Sequence, residues 1–187
     1  MSIHGPSGSN SAVVAGFNST ASGNGSFASG SRATTRALDY SQAHAAGRFA
    51  ADGDAQSCRF VHYRQTTTAT ATALSAGGAA PAAATAIVLP DSSVYHFIAR
   101  IAARNNANGD AGAYEIRGAI KRGSGVATTA ILGTPAVTTV GADSGASAWA
   151  VAAVANTTLG SLEIQVTGAA STTIKWVASV WTTEVVG

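Results

Sequence analysis

Side chains that could do chemistry are few in this chain and stand far apart. The histidines are His4, His44, His62 and His96, and the one cysteine is Cys58. None of them forms a paired metal spacing with another or with a carboxylate. Asp52 and Asp54 suggest calcium, but the remaining ligands of a calcium loop are missing, so a turn is the expected role. Nine acids are dispersed along 187 residues. Glycoside hydrolysis needs two carboxylates facing each other across a cleft, and nothing pairs Glu115 with Glu163. A nucleophile elbow, a phosphate loop and a cysteine-protease signature are all lacking. Cys58 reads as a buried or tolerated thiol, and His96 as a surface residue. The expectation is a protein without catalysis, cofactor or metal.

The polar residues that remain interesting sit in two glycine-rich loops. Asn105, Asn106, Asn108 and Asp110 fall in one, and Asp143 opens the other at 143–147. Asn and Asp there can hydrogen-bond sugar hydroxyls, and they equally serve as turn formers. Many short strands must position these loops. Residues 94–104 alternate, with Tyr95, Phe97, Ala99, Ile101 and Ala103 on one side and His96, Arg100 and Arg104 on the other. Residues 113–122 alternate likewise, Tyr114, Ile116 and Ile120 against Glu115, Arg117 and Lys121. A period of two marks strands with one face buried. Further candidates lie at 59–72, 86–89, 128–132, 137–140, 149–155, 162–166 and 174–180, separated by Gly, Asn and Ser clusters. This spacing predicts an antiparallel β-sandwich, jelly-roll-like, over residues 59–187. Its core is expected to hold Tyr95, Phe97, Tyr114, Ile116, Trp149, Leu162, Ile164 and Trp176. Trp181 falls on the opposite face, as a subunit contact or a partly buried side chain.

Ahead of the sandwich, residues 11–47 repeat. Units begin at Ser11, Ser19, Ser26, Ala33 and Ser41, so successive starts fall seven or eight positions apart. Positions one, three and five are small: Ser19, Ala21, Gly23; Ser26, Ala28, Gly30; Ser41, Ala43, Ala45. That is a period of two inside a period of about seven, the mark of stacked rungs with a very narrow interior. A disordered Ser/Gly/Ala linker is the alternative. The recurrence of Val13, Val14, Phe17, Phe27, Leu38 and Tyr40 argues against it. Asp52-Gly53 is a turn signal, so a connector is expected at 51–58, between a repeat segment at 11–50 and the sandwich. Residues 1–10 read as an extended arm.

The S-x-A-x-G pattern resembles the head repeats of trimeric autotransporter adhesins, and similar repeats occur in phage tail fibres. Ala33 and Ala37 depart from it, where Ser and Gly would stand. The resemblance implies a left-handed parallel β-roll in which three chains pack side by side. Gly47 to Gln56, Arg59-Phe60-Val61, Thr66-Thr67, Ala119 to Arg122, Leu132-Gly133, Trp176-Val177-Ala178 and Thr183-Glu184-Val185 are similar to tail-fibre and other virion structural proteins of phages and prophages. This implies a virion surface protein.

Composition bears on the same reading. Charged residues are 11% and apolar residues 46%, much of it alanine. So few charges leave a poorly solvated surface on a lone chain, and burial between subunits is the expected answer. Val13, Phe17, Phe27, Leu38, Tyr40 and Trp181 are the candidate trimer-interface residues. Ile3 and His4 are the candidate virion anchor. Net charge is +2, and the cations look scattered, which argues against a nucleic-acid partner. The start of the chain lacks the apolar core of a secretory signal, and the longest apolar run, residues 148–155, is too short to span a membrane. The chain is therefore expected to be made in a bacterial cytoplasm and released by lysis as part of a virion. The first expectation for function is a homotrimeric tail fibre or spike that binds a host surface glycan or protein. The alternative is a capsid decoration or head-fibre protein held to the phage head by its N-terminal arm.

Overall fold

The structure, a computed structural model, describes residues 7–187. Ile3 and His4 lie outside the described residues. Among the described residues the chain is all-β apart from two single 3-10 turns at Val126–Thr128 and Ser144–Ala146.

Strands β1 (Ala12–Phe17), β2 (Phe27–Ser31) and β3 (Gln42–Ala45) pair in parallel, with Ala12 opposite Phe27 and Phe27 opposite Gln42. One strand follows the next every fifteen residues, at 12, 27 and 42. The units at Ser19 and Ala33 form the other side of the stack, joined by a parallel bridge between Thr20 and Thr34. Two of the seven-to-eight-residue units thus make one turn of chain. The small residues do line the interior: Ser19, Ala21, Ser26, Ala28, Ala33, Ser41, Ala43 and Ala45 are all buried. One hydrogen bond recurs in each turn. Ser11, Ser26 and Ser41 donate from Oγ to the carbonyl oxygen three residues earlier, of Gly8, Gly23 and Leu38, at 2.6, 2.6 and 2.7 Å.

Those three acceptors explain where glycine is required. A Cβ on Gly8 would lie 2.2 Å from the Gly23 carbonyl oxygen, and one on Gly23 would lie 2.0 Å from that of Leu38. Turns stack too closely there for any side chain. Among the described residues no further turn of the stack lies behind Leu38, so a large residue fits, and it is buried in its own chain. Leu38, a candidate interface residue, is therefore buried as a cap on the stack of its own chain. Asn10, Gly25 and Tyr40, also fifteen apart, all adopt positive φ, of 55°, 60° and 54°.

From β3 the sheet continues without a break. β4 (Ala55–Thr66) runs antiparallel to β3, placing Gln42 opposite Arg59 and Ala43 opposite Cys58. Beyond it come β12 (Ile174–Val186), β7 (Ser93–Asn105), β8 (Ala111–Arg122) and β9 (Ala130–Ala142), in the order β1-β2-β3-β4-β12-β7-β8-β9. Where a connector was expected at 51–58, β4 already begins at Ala55. The loop before it is tied by the Asp54 carboxylate, which accepts the backbone N–H groups of Phe49, Ala50 and Ala51. Burial works to raise this carboxyl, and the three N–H bonds outweigh it and hold it below the usual range. That is the turn role for Asp54, with its oxygens spent on backbone.

A smaller sheet of β10 (Ala150–Asn156), β11 (Ser161–Thr167), β5 (Thr72–Ala73) and β6 (Ile87–Val88) covers the inner face. All eight expected core residues are buried. Trp176 stands at the centre, with ring centroids 5.6 Å from Trp149 and 6.4 Å from Tyr114, and its Nε1 donates to Thr66 Oγ1 at 2.9 Å. His62 joins the core unannounced by its type. Burial lowers its pKa to about 4, against a backbone hydrogen bond at Leu74 that favours the proton, so it is neutral at pH 7.

Strand β9 is unlike the rest. The two strands expected at 128–132 and 137–140 are one, and it lies at the outer edge of the large sheet. Nearly every residue in it is exposed, on both faces, including Val137 and Val140 at 51% and 69%. No charge occurs between Arg122 and Asp143. Natural edge strands are usually blunted by charge; β9 has none, and carries instead Pro135 and two breaks in its register with β8, between Ala136 and Leu132 and between Gly141 and Thr139.

Candidate functional site

The two loops singled out by their Asn and Asp residues meet at one end of the sandwich. Strands β7 and β8 carry the first, and β9 leads into the second. Asp143 and Ala111 exchange bonds: Asp143 N–H donates to the Ala111 carbonyl, and Ala111 N–H donates to Asp143 Oδ2, both at 2.9 Å. A Cβ on Gly145 would overlap Asp110 Oδ2, so the loops touch and Gly145 permits it. Within the first loop, Asn108 Nδ2 donates to Asp110 Oδ2 at 2.6 Å, and Asp110 N–H returns a bond to Asn108 Oδ1 at 3.1 Å. Asn105 is buried, and its Oδ1 accepts the Ala107 N–H at 2.9 Å, so it builds the loop from beneath. Asn106 and Asn108 are exposed at the tip.

This end lies away from the repeat stack. β3 meets β4 at Ser57 to Arg59, whereas the loops adjoin the far ends of the same sheet, where Ile174 faces both Thr66 and Asn105. Seven residues of strand from Arg59 to Thr66 separate them by about 23 Å. The polar groups of the loop pair can bind hydroxyls. Their carboxylates are engaged in holding the loops, and no cluster of three or more His, Cys, Asp or Glu occurs among the described residues.

The remaining candidates lie on the large sheet and, for Tyr40, in the turn that leads into β3. Val13 and Phe27 are half-buried. Phe17, Tyr40 and Trp181 are exposed at 46%, 57% and 49%. The Arg32 guanidinium lies 5.0 Å from the Phe17 ring centroid and that of Arg59 lies 5.4 Å from the Trp181 centroid. Cys58 is buried beside Gln56, and burial foremost, then Glu184, pushes its thiol well above the usual range, so it is no nucleophile.

Two features escaped the sequence. The first is a buried polar cluster that joins the repeat to the sandwich. Arg36 donates to Glu184 Oε2 at 2.7 Å, to the Tyr95 hydroxyl at 2.8 Å and to the Gly53 carbonyl at 2.7 Å. Gln56 Nε2 donates to the same Glu184 oxygen, and Thr182 Oγ1 donates to the other. Residues 36 and 184 are 148 apart in sequence, so no local signal links them. The second is the outward face of the large sheet. Strand pairing places Arg59, Arg100, Arg104, Arg117, Lys121 and Lys175 on it, with Glu115 as the one acid of these strands on that face among the described residues. Six of the chain's eleven Lys and Arg thus share one face. Charge that is scattered in sequence is concentrated in space.

No family model and no curated protein matches this chain. Among solved structures it is similar to two tailspike proteins. One is gp49 of Acinetobacter baumannii bacteriophage Fri1, a capsular polysaccharide depolymerase, at 12% identity and a TM-score of 0.36, covering 68% of this chain and 18% of that one. The other is the tailspike of Acinetobacter phage vB_ApiP_P1, at 12% identity and a TM-score of 0.34, covering 95% of this chain and 39% of that one. The chain therefore spans less than half the length of either protein.

Proposed function

We propose that the chain is a non-enzymatic, homotrimeric surface protein of a phage virion, a tail-fibre or spike component that attaches the particle to its bacterial host. The observation that carries this reading is the arrangement along the large sheet: a stack of Ser/Ala/Gly turns at one end, a pair of polar loops at the other. In a coaxial trimer, such a stack is the shaft side and the loops are the tip. Adhesin-like repeats support the trimer, and so does β9, a long uncharged edge that a lone chain would leave open to water. Weak contacts by each tip become useful through three copies per fibre.

Sedimentation of the purified chain tests the first half. A mass three times that of the 18.4 kDa chain is expected, and a stable species of 18.4 kDa overturns it. Competition tests the second: purified protein added to host cells is expected to slow adsorption of the phage, with no release of reducing sugar from host polysaccharide. Gel densitometry of virions reads the location. A dozen or fewer copies fits a fibre, whereas hundreds would make the protein a capsid decoration.

A further inference from the structure

Where β2, β3, β4 and β12 adjoin, the outward face of the large sheet holds a groove of about 160 Å3. Cross-strand pairing sets Phe27, Gln42, Arg59 and Trp181 in one row across it, because Phe27 faces Gln42, Gln42 faces Arg59 and Arg59 faces Trp181. His44 flanks the row and accepts or donates one hydrogen bond through Nδ1 with Ser29 Oγ at 3.0 Å. The Gln42 amide makes no side-chain hydrogen bond among the described residues. Trp181 is half exposed although it is a large apolar side chain, and the Arg59 guanidinium rides over its ring.

An exposed indole beside an amide, an imidazole and a guanidinium is the chemistry of a sugar subsite. The apolar face of a pyranose ring lies on the aromatic plane, and the polar neighbours meet its hydroxyls. The surroundings specify the charge of that sugar. Arg100, Arg104, Arg117, Lys121 and Lys175 extend from the groove over the same face. Glu115 answers two of them, taking Arg117 Nε at 2.7 Å and Arg100 Nε at 3.4 Å, and holds their guanidinium groups in place. A second copy of this face would set cation against cation, so the face suits a partner of opposite charge. A nucleic acid fits less well: one aromatic corner and a separate field of cations do not alternate as stacked bases and phosphates do.

We infer that this groove and the basic face beside it bind an acidic polysaccharide, with one sugar ring on Trp181 and its neighbours' carboxylates over the arginines. The inference rests on the host-attachment reading and names for it a second contact surface besides the loop tip.

Trp181 reports its own occupancy, because Trp149 and Trp176 are buried at 6% and 1% exposure while Trp181 is at 49%. The experiment titrates the full chain with polygalacturonate, with dextran as the neutral polysaccharide and oligothymidylate as the nucleic acid. Tryptophan emission and its quenching by acrylamide are followed, with calorimetry for variants. Polygalacturonate is expected to shield Trp181, to bind more weakly as salt rises, and to lose affinity about tenfold or more in Trp181→Ala and in Arg59→Gln. Gln42→Ala, which removes one amide of the row and keeps the indole and the guanidinium, should weaken binding less. Four results would each overturn the inference: no binding of polygalacturonate, equal binding of dextran, tighter binding of oligothymidylate, or unchanged affinity in both Trp181→Ala and Arg59→Gln. Trp181 already shielded before any ligand is added would make the face a subunit contact, and overturns it too. Sedimentation of the same samples separates the two proposals: a single chain that binds polygalacturonate removes the trimer and leaves the groove, and a trimer that does not bind removes the groove alone.

Discussion

Glu184 has no exposed side-chain surface, and Arg36 has 18%. Such a pair is stable because every charge on it is answered: Gln56, Thr182 and Tyr95 complete the set. Removing one member leaves the other charge buried and unmatched. Glu184→Ala is therefore expected to lower unfolding free energy by about 3–5 kcal/mol, measured by denaturant titration. His62 supplies a pH dependence. Its folded pKa is about 4, below the ordinary value of 6.5. Above pH 6.5 both folded and unfolded forms are neutral there, and nothing is lost. As pH falls from 6.5 to 4 the unfolded chain takes up the proton and the folded chain does not, so stability declines, by about 3 kcal/mol in all. Thermal melts across that window should show the decline, and His62→Leu should flatten it. Neither effect is legible locally. A histidine, a glutamate and an arginine with no motif around them acquire these roles only from what is packed against them.

Among the elements, the repeat stack is the one most legible in sequence, because its interior tolerates only small residues. Ala28 is fully buried, and Gly23 sits against the Leu38 carbonyl. Gly23→Ala forces two turns apart and should cost about 1–3 kcal/mol, seen as faster amide exchange and earlier proteolysis within residues 11–47. What the pattern did not disclose was that two units make one turn. Both sides of a flattened coil present the same small-in, polar-out alternation, so the sequence period is half the structural one. β9 poses the opposite case. Its residues read as two modest strands, and only its place at the sheet edge shows that both faces lack cover. Replacing Val137 and Val140 with lysine puts charge on that edge. If subunits meet there, sedimentation should shift from the trimer toward the single chain, while the circular dichroism of the fold is retained.

At the scale of the whole molecule, the repeat strands continue into the large sheet of the sandwich, and Arg36 and Glu184 staple the two together. The chain should thus unfold in a single transition by heat, with circular dichroism and tryptophan emission coinciding. Two separated transitions would show independent parts. A chain shortened to begin at residue 48 should aggregate, since it exposes the edge of β4 and leaves Glu184 without its guanidinium. The sequence alone determined the strand alternation, the eight core side chains, the narrow interior of the stack and the two polar loops, since each of these follows from short-range periods and residue size. Only the tertiary structure decided which strands are neighbours. That choice brought the two loops together, sealed Arg36 against a glutamate 148 residues away, and gathered six dispersed cations onto one face. Strand order is set by the burial of whole faces against one another, a sum over distant segments that no local pattern contains.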